Sequence, residues 1–384
     1  MNRIYLDHSA TTPLAPEVLE AMLPYLQQFF GNPSSLHSFG REVKVAIEEA
    51  REKLAAFMGV KPREIYFTSG ATESNNWAIS GTLMSLKNKG NHIVTTVIEH
   101  SSVLDVCRNL GKNGFNISFV KPDNRGKIYP EAIKECLRDS TVLVSVMYAN
   151  NEVGTINPII EIGELVNGQG ILLHCDAVQG AGTIPKPISD LPIDLLSISA
   201  HKFYGPKGVG ALYIRSGSKI SRMLFGGGQE RRLRAGTENV AGIVGLGKAA
   251  ELLAQRGKRD EKNFSNLRDL LWQGINRRIH DVVINGDLNN GLSNLLNCTF
   301  SGAEGESVVL SLDMSGIAIS AGSACAVGTM ESSHVLQAMD LKPERVKGAV
   351  RFSFGRGNSE KDVEIVIDTL VREVERLRQL NPSK

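Results

Sequence analysis

The sequence predicts an α/β fold: a mostly parallel sheet with helices on both faces, plus a smaller α+β C-terminal lobe. Three observations carry this. From residue 64 to residue 215, short apolar runs rich in Val, Ile and Leu alternate with amphipathic stretches of helical period, as buried parallel strands and their crossover helices do. Past residue 256 that alternation stops and isolated strands and helices follow. The length, 384 residues with 42% hydrophobic and 22% charged, suits one large and one small lobe. The expected division is a large domain over 16–256 and a small domain made of 1–15 and 257–384.

Each element has its own signal. Residues 4–13 read as a short extended piece and polar turn that lie over the body rather than in a core. Helical periodicity covers 17–30 and 38–58, with Gly31-Asn32-Pro33-Ser34-Ser35 as the break between them. Strands are expected at 64–68, 92–97, 117–120, 142–147, 171–175, 194–198 and 209–215. The helices between them fall at 72–89, 101–112, 130–137 and 159–168. Right-handed crossovers put the strand C-termini on one edge, where ligands of such sheets bind. Two further helices are expected at 241–256 and 263–279. In the small lobe, strands are expected at 292–301, 317–320 and 349–354, and helices at 304–312, 332–339 and 359–380.

Composition excludes several function classes. A net charge of +2 gives no general nucleic-acid or membrane surface, although Arg231-Arg232-Leu233-Arg234 is locally basic. No apolar run approaches a membrane span, and the first residues lack a signal-peptide pattern. Five cysteines without CxxC spacing argue against a disulfide framework and against a structural zinc, and favour a reducing, cytoplasmic setting. His174 and Cys175 are strand neighbours that point to opposite faces, so they do not chelate one metal.

The chemistry concentrates at the expected strand ends. Lys202 lies between two strands, with Ser199 and His201 beside it, where a desolvated amine can take an aldehyde as a Schiff base. Lys207, in the glycine-rich turn that follows, is the competing candidate. Ala71 and Thr72, in Ser69-Gly70-Ala71-Thr72, sit at a strand-to-helix turn whose N–H groups suit a phosphate, although Thr72 reads equally as a plain N-cap. His100, Asn151, Asp176 and Gln179 follow other strands of the same sheet. This set matches the needs of pyridoxal 5′-phosphate. Lys202 would hold the aldehyde, Asp176 would pair with the pyridine nitrogen, and His100 would stack on the ring. Thr72, Ser199 and His201 would take the phosphate, and Asn151 and Gln179 the phenolic oxygen. Arg351 is a charge on an apolar strand, which must meet either a ligand carboxylate or an internal acid. Cys325 lies among Gly, Ser and Ala in Ser320–Thr329, a setting that suits an accessible nucleophilic thiol. The other four cysteines fall within expected helices or strands and read as structural.

Taken together, these stretches resemble a NifS/IscS-type cysteine desulfurase, of the class V, fold-type I pyridoxal-phosphate enzymes. Ten motifs in order carry the resemblance over the whole chain. They include Leu6-Asp7-His8-Ser9-Ala10-Thr11-Thr12-Pro13, Thr68–Asn76, Glu99-His100, Asn150–Gly154, Asp176–Gln179, Ser199–Lys202, Arg234–Asn239, Gly322–Cys325 and Val350–Ser353. His8-Ser9 departs mildly, since many relatives have two asparagines there. The resemblance implies a homodimer in which Thr237 reaches the phosphate in the partner subunit, and a substrate carboxylate held by Arg351 with Asn32 and Asn151. It implies conversion of L-cysteine to L-alanine with a persulfide on Cys325. The sulfur would then pass to an acceptor such as an iron–sulfur scaffold or a tRNA-thiolation protein, with Cys325 as a transient cluster ligand. A selenocysteine lyase or a class V aminotransferase would share most of this site, and a non-catalytic scaffold of the same fold is the further alternative.

Overall fold

The computed structural model describes residues 3–321 and 332–380. It opens with β1 (Ile4–Tyr5) and α1 (Pro16–Gln27), whose first-turn proline forgoes an N–H that would have no helical partner there. α2 (Ser38–Met58) fills the span expected of it. His37 Nδ1 accepts the Gly40 N–H at its start, and Gly59 closes it at φ 68°, a conformation that favours glycine.

The alternating series follows as β2 (Ile65–Thr68), α3 (Ala71–Leu86), β3 (His92–Thr96), α4 (Ser101–Lys112) and β4 (Asn116–Val120). It continues through α5 (Pro130–Cys136), β5 (Thr141–Met147), α6 (Ile159–Val166), β6 (Leu172–Asp176), β7 (Leu195–Ser199) and β8 (Gly210–Ile214). Among the described residues these strands form one sheet in the order β2-β8-β7-β6-β5-β3-β4. All neighbours pair in parallel except β8, which runs antiparallel to both β2 and β7. Reversed β8 therefore begins at the edge where the other strands end. Gly210 pairs with both Thr68 and Ser199, so the turn after β2 and the turn after β7 lie side by side. Only glycine serves at that junction, because a Cβ on Gly210 would stand 2.8 Å from Gly70 Cα.

The expected helices at 241–256 and 263–279 are one helix, α7 (Val240–Arg278). The polar run 256–262 resembles a linker in sequence. In the fold it is a largely exposed, charged flank of the helix, tied down by Arg256–Glu17 at 2.8 Å and Arg356–Asp260 at 2.7 Å. The first half of α7 packs Ile243, Leu246 and Ala250 into the large-lobe core, and the second half packs Leu267, Leu271 and Ile275 into a separate core. Residue 256 thus lies within a helix shared by both cores.

The second lobe continues with β9 (Val282–Asn285), β10 (Leu295–Phe300), α8 (Gly305–Met314), β11 (Ile317–Ala318), β12 (Ser320–Ala321), α9 (His334–Ala338), α10 (Pro343–Lys347), β13 (Ala349–Ser353) and α11 (Glu360–Leu380). β9 and α10 had no expectation; each is short, and β9 is an edge strand with alternating partial exposure. The strand expected at 317–320 is divided in two. β11 pairs in parallel with β1, and β12 pairs antiparallel with β13. The N-terminal piece, expected to lie over the body, instead contributes core: Ile4 and Leu6 are buried with Phe300, Leu312 and Phe352.

Candidate active site

A cavity of about 560 Å³ opens at the strand-end edge of the large sheet. Ala71, Thr72, His100, Asn151, Asp176, Gln179, Ser199, His201, Lys202 and Arg351 all line it. A larger recess, of about 660 Å³, lies at the opposite end of the strands, and its arginine, Arg215, is spent on the carbonyls of Ile193 and Ser189. The first cavity holds the chemistry.

Ser69 and Gly70 leave β2 and turn into α3. Gly70 occupies the N-cap position at φ 154°, with no side chain to accept the first-turn N–H groups. Thr72 is therefore not the N-cap of α3. α3 also carries Asn75 inward. Its Nδ2 donates to Asp176 Oδ2 at 2.7 Å and to Ser102 Oγ at 2.9 Å, while its Oδ1 is buried without a partner. Asp176 ends β6, and its other oxygen accepts the Val178 N–H at 3.0 Å.

His100 is the N-cap of α4, and its Nδ1 accepts the Ser102 N–H at 3.1 Å and lies 2.9 Å from Ser102 Oγ. Burial lowers its pKa, Asp176 opposes that shift and Lys202 adds to it. Because Nδ1 accepts the Ser102 N–H, the ring proton sits on Nε2. Asp176, Asn75, Ser102 and His100 form one hydrogen-bonded chain along the cavity wall.

Lys202 follows β7 on a single 3₁₀ turn, Ala200–Lys202. Its Nζ donates to the carbonyls of Ser9 at 2.5 Å and Ala10 at 2.9 Å. Gln179 Nε2 donates to the same Ser9 carbonyl at 2.9 Å. The N-terminal segment thus crosses from the small lobe to hold the amine. Lys207 also reaches the cavity but is exposed at its rim. His201 Nδ1 lies 3.2 Å from Thr11 Oγ1. Burial first, then Lys202 and Lys207, lower its pKa to about 4.

Arg351, on β13, is buried. It donates to the Asn151 carbonyl and to Asp7 Oδ1, both at 2.7 Å, and its Nε has no partner. The internal acid left open by the sequence is therefore Asp7, and one buried donor of the guanidinium remains without a partner. Asn32 and Thr237 do not line this cavity in the single chain; both are exposed. Cys325 lies outside the described residues. Cys107, Cys175 and Cys298 are buried, and desolvation pushes their thiols up, Cys107 to about 12. His174 has each ring nitrogen on a serine, Ser145 at 2.8 Å and Ser197 at 3.0 Å, as a satisfied core histidine does.

Residues 4–366 match the Aminotransferase class-V family. The chain belongs to that family. Curated relatives include "Cysteine desulfurase IscS" of Dictyoglomus turgidum, 50% identical over 99% of this chain and 97% of that one. The protein of the same name in Methanosarcina thermophila is 48% identical over 99% of this chain and 94% of its own. Among solved structures, a "NifS-like protein" superposes with a TM-score of 0.92 at 38% identity, covering 98% of this chain and all of that one. Another, described as SspA in complex with cysteine, gives 0.82 at 36% identity over 92% of this chain and 99% of that one.

The cofactor of such class-V enzymes is pyridoxal 5′-phosphate, and the residues here fit it. An amine, a carboxylate and an uncapped helix N-terminus share one cavity, and Gly70 leaves open the space that a side-chain cap would fill. Lys202 would hold the aldehyde, Asp176 the pyridine nitrogen, and the α3 turn the phosphate. Asn75 and Asp7 were missed as site residues by the sequence reading. Both stand inside quoted motifs, but only the fold reveals which charge each one meets.

Proposed function

We propose that this class-V enzyme removes sulfur from L-cysteine, leaving L-alanine and a persulfide on Cys325. The observation that carries the reading is the placement of Lys202, Asp176 and the α3 N-terminus around one cavity, with a buried arginine at its wall. Pyridoxal 5′-phosphate, when bound, supplies an aldehyde for amine exchange and a ring that takes up the electrons freed at the substrate α-carbon. The rest falls to the protein. Arg351, at the wall of the cavity, holds the substrate carboxylate, with Asn32 and Asn151 as helpers. Lys202 Nζ moves the α-proton. His100, protonated on Nε2, moves a proton near the substrate sulfur. The Cys325 thiolate attacks that sulfur: the S–S bond forms, the Cβ–S bond breaks, and its electron pair returns to carbon, which is protonated to give alanine.

Two features support a homodimer. Thr237 lies exposed away from the cavity of its own chain, and large apolar side chains, among them Leu26, Phe30, Leu36 and Phe39, are exposed on and after α1. Thr237 would then reach the phosphate bound by the partner. No helix of the described residues is long and apolar enough to cross a membrane. The sulfur passes in the cytoplasm to an acceptor protein serving iron–sulfur or tRNA-thiolation chemistry, with Cys325 a transient cluster ligand in the former case.

Mass spectrometry after incubation with L-cysteine tests the reading. The Cys325 peptide should gain one sulfur, and Cys325→Ala should keep the cofactor absorbance but release no sulfide. Alanine formed without sulfur on Cys325, or amino-group transfer to an oxo acid, would replace it with a lyase or aminotransferase.

A further inference from the structure

Glu73 places a carboxylate in the first turn of α3, on the wall of the same cavity. That is an awkward position if a phosphate is to lie on this helix end, since two anions would compete for the same N–H groups and repel each other. The carboxylate is not free. Its Oε1 accepts from Arg234 Nε at 2.8 Å, and its Oε2 accepts from Arg234 Nη2 at 3.0 Å and from the Ser69 N–H at 2.8 Å. The pair is about four-fifths buried. Burial raises the Glu73 pKa, but the hydrogen bonds from Arg234 and Ser69 outweigh it and hold the group below the usual carboxylate range.

Arg234 is itself held by an anchored segment. Glu230, four residues earlier, is buried against Arg51 at 2.7 and 2.9 Å and accepts the Phe67 N–H at 2.9 Å. Arg231 lies over the Tyr66 ring at 4.1 Å. Glu230, Arg231 and Arg232 all have positive φ, a run that non-glycine residues adopt only when tertiary contacts impose it. Gly236 N donates to Gln229 Oε1 at 3.1 Å and closes the segment just before Thr237.

We infer that Arg234 is a positioning residue for the cofactor phosphate: it neutralises Glu73 and, with the Ser69 N–H, occupies both of its carboxylate oxygens, so that the first-turn N–H groups of α3 are left to a phosphate. The inference rests on the proposed cofactor site and deepens it. The same arginine ties the segment carrying Thr237 to the cradle, so the residue offered to a partner subunit and the phosphate site of this chain share one anchor.

A double-mutant cycle on the dissociation constant of pyridoxal 5′-phosphate, read from its absorbance on the purified full chain, tests this. Arg234→Ala should weaken binding by about 30-fold or more, because it uncovers Glu73. Glu73→Gln should stay within about threefold of the parent. Adding Glu73→Gln to Arg234→Ala should recover most of the loss, to within about fivefold. Pyridoxal, which lacks the phosphate, should respond to none of these changes by more than about threefold. Unaltered binding in Arg234→Ala overturns the inference, and so does a double variant as weak as the single one, since the arginine would then act by fold or by its own charge. A parent chain that fails to bind the cofactor through Lys202 overturns the cofactor site instead.

Discussion

Asn75 donates a 2.7 Å hydrogen bond to the carboxylate of Asp176, within the wall between α3 and β6. An amide facing a carboxylate must present its nitrogen, so the side chain has one orientation, and its buried oxygen is left unpaired. Asn75 thereby fixes Asp176 on one side and, through Ser102, His100 on the other.

Asn75→Ala should therefore loosen Asp176 and His100 together. Steady-state kinetics with L-cysteine should show kcat lowered by about 10- to 100-fold with KM changed by less than about threefold, since the amide does not line the cavity. A change in KM alone would place Asn75 with substrate binding instead.

The two lysines separate cleanly. Lys202→Ala should abolish turnover and the absorbance of the covalently held cofactor, because its amine is the half-buried one beside Ser9 and Ala10. Lys207→Ala should keep that absorbance, because Lys207 sits exposed at the rim. The opposite result would move the attachment point.

Arg351 offers a planar fork that a lysine cannot reproduce. Arg351→Lys should raise KM for L-cysteine by about 10-fold or more. Asp7→Asn leaves the guanidinium without its ion partner; with Asp7 partly exposed, urea denaturation should show a loss of about 1–2 kcal/mol.

Glu99 gives a stability signature. It is buried, accepts from Thr96 Oγ1 at 2.8 Å and the Met147 N–H at 2.9 Å, and desolvation pushes its pKa to about 8. A carboxyl raised in the folded state contributes stability that is complete below its unfolded value, near 4.5, and lost as pH rises through about 8. Glu99→Gln removes this loss. Denaturation curves should show the variant gaining on the parent by about 2 kcal/mol or more between pH 5 and pH 8.5. A constant difference across that range would mean that Glu99 is ionised throughout.

Much of the fold was legible because its strands and helices bury different periods of side chain. α2 and α4 occupy the spans read from their patterns, and the sheet strands lie within a residue or two of theirs. α7 was misread because a run of charged residues is equally a linker or a helix flank; the local pattern is the same, and only the packing of both halves distinguishes them. The N-terminal piece was misread for a related reason. Two apolar residues are too few to declare a strand, and Ile4 acquires its partner, Ile317, only from the far end of the chain.

The sequence by itself determined the chemical inventory: an amine, a carboxylate, an imidazole and a glycine turn at the ends of four strands of one sheet, because parallel strands deliver all those ends to one edge. Tertiary structure decided which partner each buried charge of the site meets. Asp7 meets Arg351 across 344 positions, Arg234 meets Glu73 across 161, and Asn75 meets Asp176 across 101. No local period encodes such pairs. They exist because a buried charge must find a partner, and only the folded chain settles which one lies within reach.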